Sequence, residues 1–288
     1  METIRLNNGV VMPLLGFGAL QLPTDQTDKL ITEAIEVGYR MIDTAQSYYN
    51  EEGVGRGIRY SSVPRDLIFL SDKIWITNDG ESRAARSIDD SLRRLNTDYI
   101  DLLLIHMPYG DYYGTYRAME AALKAGKARA IGVCNFYEGR LYDLASHFET
   151  KPAIHQMETH VFNQQQALQQ MALGEFGTHI MAWGPFAEGT QGIFTDPVLT
   201  SIGEEHGKTA AQVALRYSVQ RGIPAIPKSS RRERMAQNLD IFDFRLTEEE
   251  MKQIAALDLQ RSSFPSHESA AMVKMMMDYE KNYGPKNK

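Results

Sequence analysis

The strongest constraint on what this chain can fold into is an alternation. From Leu14 onward, short apolar runs rich in β-formers recur, and each is followed by a longer segment whose apolar residues return with helical period. Short buried strands separated by amphipathic helices are what parallel strands joined by crossover helices look like in sequence. Eight runs fit: LLGFG (14–18), YRMID (39–43), LIFLSDK (67–73), DLLLIH (101–106), AIGVCN (130–135), AIHQME (153–158), HIMAWG (179–184) and IPAIPK (223–228). Eight strand–helix units predict an α/β fold of the closed (β/α)8 type, a TIM barrel. An open doubly wound sheet is the other arrangement, and it calls for a glycine-rich dinucleotide turn directly after a strand. GFGALQ near Gly16 lacks the third glycine, and GVGRG near Gly53 reads as helix.

Between the runs, 27–37 keeps Leu30, Ile31, Ala34 and Ile35 on one stripe, and Gly38 supplies the stop. Segments 82–95, 116–124, 164–173 and 210–219 behave alike. Ahead of them, ETIRL and VVMP flank Asn-Asn-Gly, which predicts an N-terminal β-hairpin over 3–13. Behind them lies a C-terminal tail, 261–288, in which Met272, Met275, Met276 and Tyr279 share a helical stripe. Docking against the barrel is the expected role of that stripe, with a lid over the site as the alternative. No Pro/Gly/Ser-rich linker divides the chain, so a single domain over 1–288 is expected.

Charge and cysteine usage narrow the partners. A formal net charge of −6 gives no overall field to attract nucleic acid or anionic membranes. The apolar stretch 10–22 is broken by Pro13, Gly16 and Gly18, so no segment is expected to span a bilayer. Cys134 is the single cysteine, which excludes an internal disulfide and a multi-cysteine metal site. A cytoplasmic protein, a monomer or weak dimer with a small-molecule partner and no metal, is the expectation.

Chemistry gathers at the strand ends. Asp43, Lys73, His106, Asn135, Gln156 with Glu158, Trp183, and Lys228 with Ser229 close successive runs, and in such barrels the C-terminal strand ends share one rim. Taken singly each has a structural reading: a satisfied core histidine, a solvated lysine, an aspartate capping the next helix. Taken together they predict a functional rim. Tyr48 lies five residues after Asp43, where its phenol can approach Lys73. An adjacent ammonium is expected to lower the phenol below its free value near ~10. Asp43 would hold Lys73 charged, and a neutral His106 would bind a substrate oxygen beside the tyrosine hydroxyl. That is machinery for carbonyl reduction, which needs a hydride from a nicotinamide cofactor. Asn135 and Gln156 suit its carboxamide and Trp183 its ring. In KSSRRERMAQN, Lys228, Arg231, Arg232 and Arg234 crowd a predicted helix start capped by Ser229 or Ser230. Cations there are disfavoured unless an anion binds, and the 2′-phosphate of NADP is the expected anion.

Carried by GYRMIDTAQSYYNEEGVG, SDKIW, LLLIHMP, AIGVCNF, AWGPFAEG and IPKSSRRERMAQN in order and spacing, the chain resembles the aldo-keto reductases, most of all their short-looped microbial members. The resemblance covers nearly the whole chain. It implies Tyr48 as proton donor, Asp43 and Lys73 as its tuning pair, and His106 as the group orienting substrate. It also implies a cofactor site built from Cys134, Asn135, Gln156, Trp183, Gly184, Pro185, Phe186, Lys228, Ser229, Ser230, Arg234, Gln237 and Asn238, and NADPH-dependent reduction of aldehydes or ketones. Departures from the family pattern are Cys134 and Gly184 for serines, Gln237 for a glutamate, Met107 for a tryptophan and Leu20 at an often aromatic position. Leu20, Tyr49, Trp75 and Met107 would form an apolar substrate wall suited to small aldehydes, dicarbonyls or keto sugars. The rival functions are a Schiff-base aldolase using Lys73, a nucleotide-binding regulatory subunit with slow turnover, and a glycosidase using Glu51 and Glu158.

Overall fold

The computed structural model describes residues 1–284. Strands β1 (Thr3–Arg5) and β2 (Val11–Pro13) form the expected antiparallel hairpin. Its turn ends on Gly9, whose φ of +88° favours a residue without Cβ. Then come β3 (Phe17–Gly18), α1 (Thr27–Val37), β4 (Met41–Asp43), α2 (Glu51–Tyr60), β5 (Phe69–Ile74), α3 (Glu81–Leu95), β6 (Ile100–Ile105) and α4 (Tyr112–Lys124). They continue as β7 (Ala128–Cys134), α5 (Glu138–His147), β8 (Ile154–Glu158), α6 (Gln166–Phe176), β9 (His179–Trp183), α7 (Pro197–His206) and α8 (Ala210–Gln220). The last helices are α9 (Arg232–Leu239), α10 (Glu248–Ala255) and α11 (Ala270–Tyr283). Strands β3 to β9 make one parallel sheet in chain order, with helices between them.

The eighth run, 223–228, closes the sheet without becoming a regular strand. Ala225 bridges in parallel to Leu15 on one side and to Ala182 on the other. Backbone bonds from Gly16 to Ala225 (2.8 Å), Ala225 to Leu14 (3.0 Å) and Ala182 to Pro224 (2.7 Å) complete the ring. Pro224 and Pro227 have no N–H to give the ladder, so the expected strand is reduced to bridges.

Period two along the strands decides what faces inward. Met41, Phe69, Leu102, Leu104, Ala130, Ile154, Met181 and Ile226 fill the barrel interior, closed at one end by Leu6 and Met12 from the hairpin region. Their neighbours Ile42, Leu70, Leu103, Ile131, Ile180 and Ala182 pack outward against the helices. Continuing the alternation to the strand ends turns Asp43, Lys73, His106, Cys134, Gln156 and Trp183 toward the interior axis. The fold therefore gathers one polar ring above an apolar plug.

Two expectations need correction here. The cap of α9 is Arg231, with no side-chain cap bond. Ser229 accepts from the Arg231 N–H (3.1 Å) in a turn ahead of the helix, and Ser230 caps nothing. In the tail the expected stripe is rotated: Met275 is 53% exposed, while Met272, Met276 and Tyr279 are half-buried.

Candidate active site

Lys73 is fully buried, and its ammonium spends all three protons on the protein: Asp43 Oδ2 (2.5 Å), the Thr44 carbonyl (2.9 Å) and the Tyr48 hydroxyl oxygen (3.2 Å). Asp43 in turn accepts from Ser71 (2.9 Å) and from the Gln156 amide (3.0 Å) at its other oxygen. Because Lys73 donates to the Tyr48 oxygen, the phenol's own proton is left to point into the cleft. Burial alone would strip the Lys73 charge, but Asp43 beside it and the Tyr48 oxygen hold the ammonium more firmly than in water.

The expected acidification of Tyr48 is not what the structure gives. Burial outweighs the neighbouring ammonium, with Asp43 adding to it, and the phenol is pushed up to about 12. The sequence shows the cation but not the desolvation that opposes it. A phenol so tuned keeps its proton at neutral pH, and only a stronger base would take it. His106 is driven well below the usual histidine range by burial first and by Lys73 next, so its ring is neutral as expected. Its Nδ1 lies 3.2 Å from the Ser47 hydroxyl. When Ser47 donates, the proton sits on Nε2, across the ring from Ser47. The rings of Tyr48 and Trp75 stand edge-on to His106 at 5.6 and 5.1 Å.

Next to this group are the residues expected to meet a nicotinamide. Asn135 has φ +63°, which swings it back over the rim after the strand ends. Its amide donates to the His106 carbonyl (3.2 Å), and its oxygen accepts from Trp183 Nε1 (2.9 Å). Gln156 is committed to Asp43 and accepts from the Cys134 thiol (3.6 Å), so it braces the Asp43–Lys73 pair. Burial raises the Cys134 thiol, which stays protonated. Gly184 has φ +59°, a conformation in which the family's usual serine would be strained.

A cleft of about 320 Å³ opens beside Tyr48 and Asp43 and runs between Gly18, Leu20, Trp183 to Phe186, Glu188, Phe194 and Lys228. Lys228, Ser230, Arg234 and Gln237 are exposed around the start of α9, while Ser229 and Asn238 are buried. Arg232 pairs with Glu36 (3.3 Å). Among the described residues Lys228, Arg231 and Arg234 have no acidic partner, so three uncompensated cations surround a helix start with no side-chain cap. An aromatic face, the Asn135 amide, an elongated cleft and that cationic end fit a phosphorylated dinucleotide.

The four residues expected to form a substrate wall are divided. Leu20 lines the cleft above, and Met107 touches the Asn135 amide at 3.7 Å. Tyr49 and Trp75 line a second, polar cavity of about 460 Å³ with Gln46, Asn78, Arg56 and Arg94. The tail lies over this mouth. Tyr279 bonds the Tyr49 hydroxyl (2.9 Å) and stands edge-on to Trp75 (5.9 Å), and Arg83 pairs with Glu280 (3.2 Å). Phe264 packs on Trp183 (5.2 Å). Glu158 holds this segment: its carboxylate accepts from the Ser263 N–H (2.7 Å), the Ser262 hydroxyl and His160 (2.9 Å). Burial would raise Glu158, but these three donors keep it below the usual range. Sequence reasoning missed Ser47, which the Tyr48 motif contains, and the tail contacts, for which no local signal exists.

The rival chemistries find little support in this geometry. An imine-forming lysine must lose its proton, and Lys73 is held as an ammonium by three acceptors. Glu51 is paired with Arg94 (2.6 Å) and Glu158 with the tail, so neither carboxylate is free to act across a sugar bond. Among the described residues, no group of three or more His, Cys, Asp or Glu is placed to hold a metal ion, and no helix is long and apolar enough to cross a membrane.

The model of the aldo/keto reductase family matches residues 14–259. The chain is 44% identical over 271 residues to the morphine 6-dehydrogenase of Pseudomonas putida, across 88% of this chain and 90% of that one. It is 42% identical over 259 residues to the glyoxal reductase of Bacillus subtilis (strain 168), across 89% and 93%. Among solved structures, the aldo-keto reductase MGS-M4 from a Medee basin deep-sea metagenome library superposes with a TM-score of 0.89 at 36% identity, over 93% of this chain and 99% of that one. The Bombyx mori aldo-keto reductase, solved in complex with NADP, superposes at 0.86 with 34% identity, over 92% and 95%.

Proposed function

The chain belongs to the aldo/keto reductase family, and from that premise we propose that it reduces small aldehydes, dicarbonyls or keto sugars to alcohols with NADPH. The observation that carries this reading is the Lys73–Tyr48 contact, which turns the only proton of a neutral phenol toward the cleft. The dinucleotide supplies the hydride that no side chain can. Trp183 offers the face for its ring, Asn135 an amide for its carboxamide, and Gly184, Pro185 and Phe186 the adjoining wall, while Gln156, expected beside Asn135, stays committed to Asp43. Lys228, Ser229, Ser230, Arg234, Gln237 and Asn238 form the end that takes the 2′-phosphate.

The protein's own part is positioning and proton delivery. Neutral His106 donates from Nε2 to the carbonyl oxygen and fixes it beside the Tyr48 hydroxyl. As negative charge grows on that oxygen, Tyr48 releases its proton to it, and Lys73 stabilises the phenolate left behind. Asp43, Ser71 and Gln156 keep Lys73 charged and in place throughout. A cytoplasmic monomer or weak dimer is the setting that suits a lone buried thiol and an acidic surface.

The test is NADPH oxidation against a panel of aldehydes and ketones, with Tyr48→Phe and Tyr49→Phe in parallel. Only Tyr48→Phe should abolish turnover. A dead Tyr49→Phe with an active Tyr48→Phe would reassign the donor, and an inert wild type that still binds NADPH would favour the regulatory-subunit reading. Borohydride trapping of substrate on Lys73 would point instead to an aldolase.

A further inference from the structure

We infer that His267, in the segment between the barrel and α11, is a substrate-binding residue that hydrogen-bonds an oxygen on the carbon next to the reacting carbonyl, and so favours vicinal dicarbonyls and α-hydroxycarbonyls over simple aldehydes and ketones. The inference rests on the carbonyl-reductase reading above.

His267 is half-buried, and its ring lies beside Trp183, which lines the cleft. Its centroid is 6.5 Å from that of Trp183, with the planes nearly perpendicular at 86°, and also 6.5 Å from Tyr137. Charge on its ring would disfavour charge on His106. The other histidines of this rim are spoken for: His106 by Ser47, and His160 by Glu158 and the Phe162 N–H. Among the described residues neither ring nitrogen of His267 has a hydrogen-bond partner, although the residue itself is held firmly. Its carbonyl accepts from the Tyr109 hydroxyl at 2.6 Å, and the residues before it are pinned through Ser262 and Ser263 to Glu158.

A fixed ring with uncommitted polar edges is what a binding site needs, because little ordering remains to be done when the ligand arrives. Burial disfavours the protonated form despite the nearby Glu158 carboxylate. The ring therefore offers one donor and one acceptor rather than a charge. That pair matches a second carbonyl, which accepts, or a hydroxyl, which does both. A simple alkyl aldehyde would leave these polar edges unmatched. Tyr48 and His106 already saturate the reacting oxygen, so the oxygen read by His267 must be a different one on the substrate.

Steady-state kinetics of the full chain with NADPH on two matched pairs, butane-2,3-dione with butan-2-one and methylglyoxal with propanal, decides the point. Each substrate is compared with itself across variants, so intrinsic electrophilicity cancels. In His267→Ala the rise in KM for the oxygen-bearing member should exceed that for its simple partner by about five- to tenfold, the loss of one hydrogen bond. His267→Asn, which restores a donor and an acceptor, should recover most of that discrimination, an outcome that mere disruption of the tail would not give. If both members of each pair change alike in His267→Ala, or if neither changes, the inference is overturned while carbonyl reduction stands. If the wild type reduces none of the four, the carbonyl-reductase reading itself fails and the inference falls with it.

Discussion

Two groups of residues meet at the mouth of the barrel, and they are held there by opposite means. Asp43, Lys73, Cys134 and Gln156 stand on strand ends, almost wholly buried, and each is hydrogen-bonded to others of the group. The tail that reaches the same mouth has no buried residue anywhere in α11. A few polar contacts hold it: the Glu158 latch, the Tyr109 bond to His267, the Tyr49–Tyr279 pair and the Arg83–Glu280 pair. Proton transfer tolerates little misplacement, and strands that are part of the core supply the rigidity. Substrate choice tolerates more, and it sits on a segment that can change without touching the core.

The sharpest way to break this contrast is to attack the buried group. Lys73→Met leaves Asp43 as an unpaired buried charge, which costs about 3–5 kcal/mol in comparable settings. Under the proposed mechanism it also removes the stabiliser of the Tyr48 phenolate. Both the unfolding free energy in urea and kcat should fall steeply together. A stable variant with near-normal kcat would show that the barrel-borne network is not what the chemistry uses.

Acid should expose the same asymmetry. Burial holds His106 well below 6.5 and His155, on the outward face of β8 with both nitrogens unpartnered, down to about 3. Below about 6.5 the unfolded chain binds protons that the folded chain refuses, so stability is full above that pH and is lost progressively as pH falls toward the folded values. Each histidine contributes up to about 1.4 kcal/mol per pH unit in that window. His155→Leu, which also removes two orphan nitrogens, should flatten the slope of unfolding free energy between pH 6.5 and 5.5. An unaltered slope would mean that His155 takes up protons in the native state.

At the other end of the cleft the cations are exposed, and the expected effect is smaller. Lys228→Ala combined with Arg234→Ala should reduce the preference for NADPH over NADH by about tenfold or more, since hydrogen bonds to charged groups contribute about 1.5–3 kcal/mol. Thermal stability should hardly move. Unchanged cofactor selectivity would remove the 2′-phosphate from this helix start.

How much of this was readable beforehand follows the same division. Asp43, Lys73 and His106 were visible because strand periodicity puts the polar residue that ends an apolar run on the rim, and Tyr48 because it follows Asp43 at short range. The eighth strand was misjudged in kind because two prolines suit its extended shape but not its hydrogen bonds. The Tyr48 shift was misjudged in sign because a neighbouring lysine can be read from spacing, whereas the depth at which both lie cannot. His267 and the Glu158–Ser262 contact join residues more than a hundred positions apart, and no local pattern anticipates such a pairing.

The smallest expected effect tests whether the tail is separable. Glu158→Gln keeps the shape of the side chain but replaces charge-assisted hydrogen bonds from Ser262, Ser263 and His160 with weaker ones. Because α11 buries no residue completely, loosening the latch should let the segment open locally while the barrel stays folded. Global unfolding free energy should change by less than about 1 kcal/mol, within the range of substitutions that leave the core intact. Limited trypsin digestion should nonetheless cut faster after Arg261, next to the released serines. KM should rise for substrates that reach the tail, and kcat should change less, since Lys73 and Asp43 remain where the strands put them and Tyr48 stays in the turn that follows β4. Were Glu158→Gln to unfold the protein as readily as Lys73→Met, the tail would have to be counted as part of the core, and the separation of chemistry from selectivity would fail.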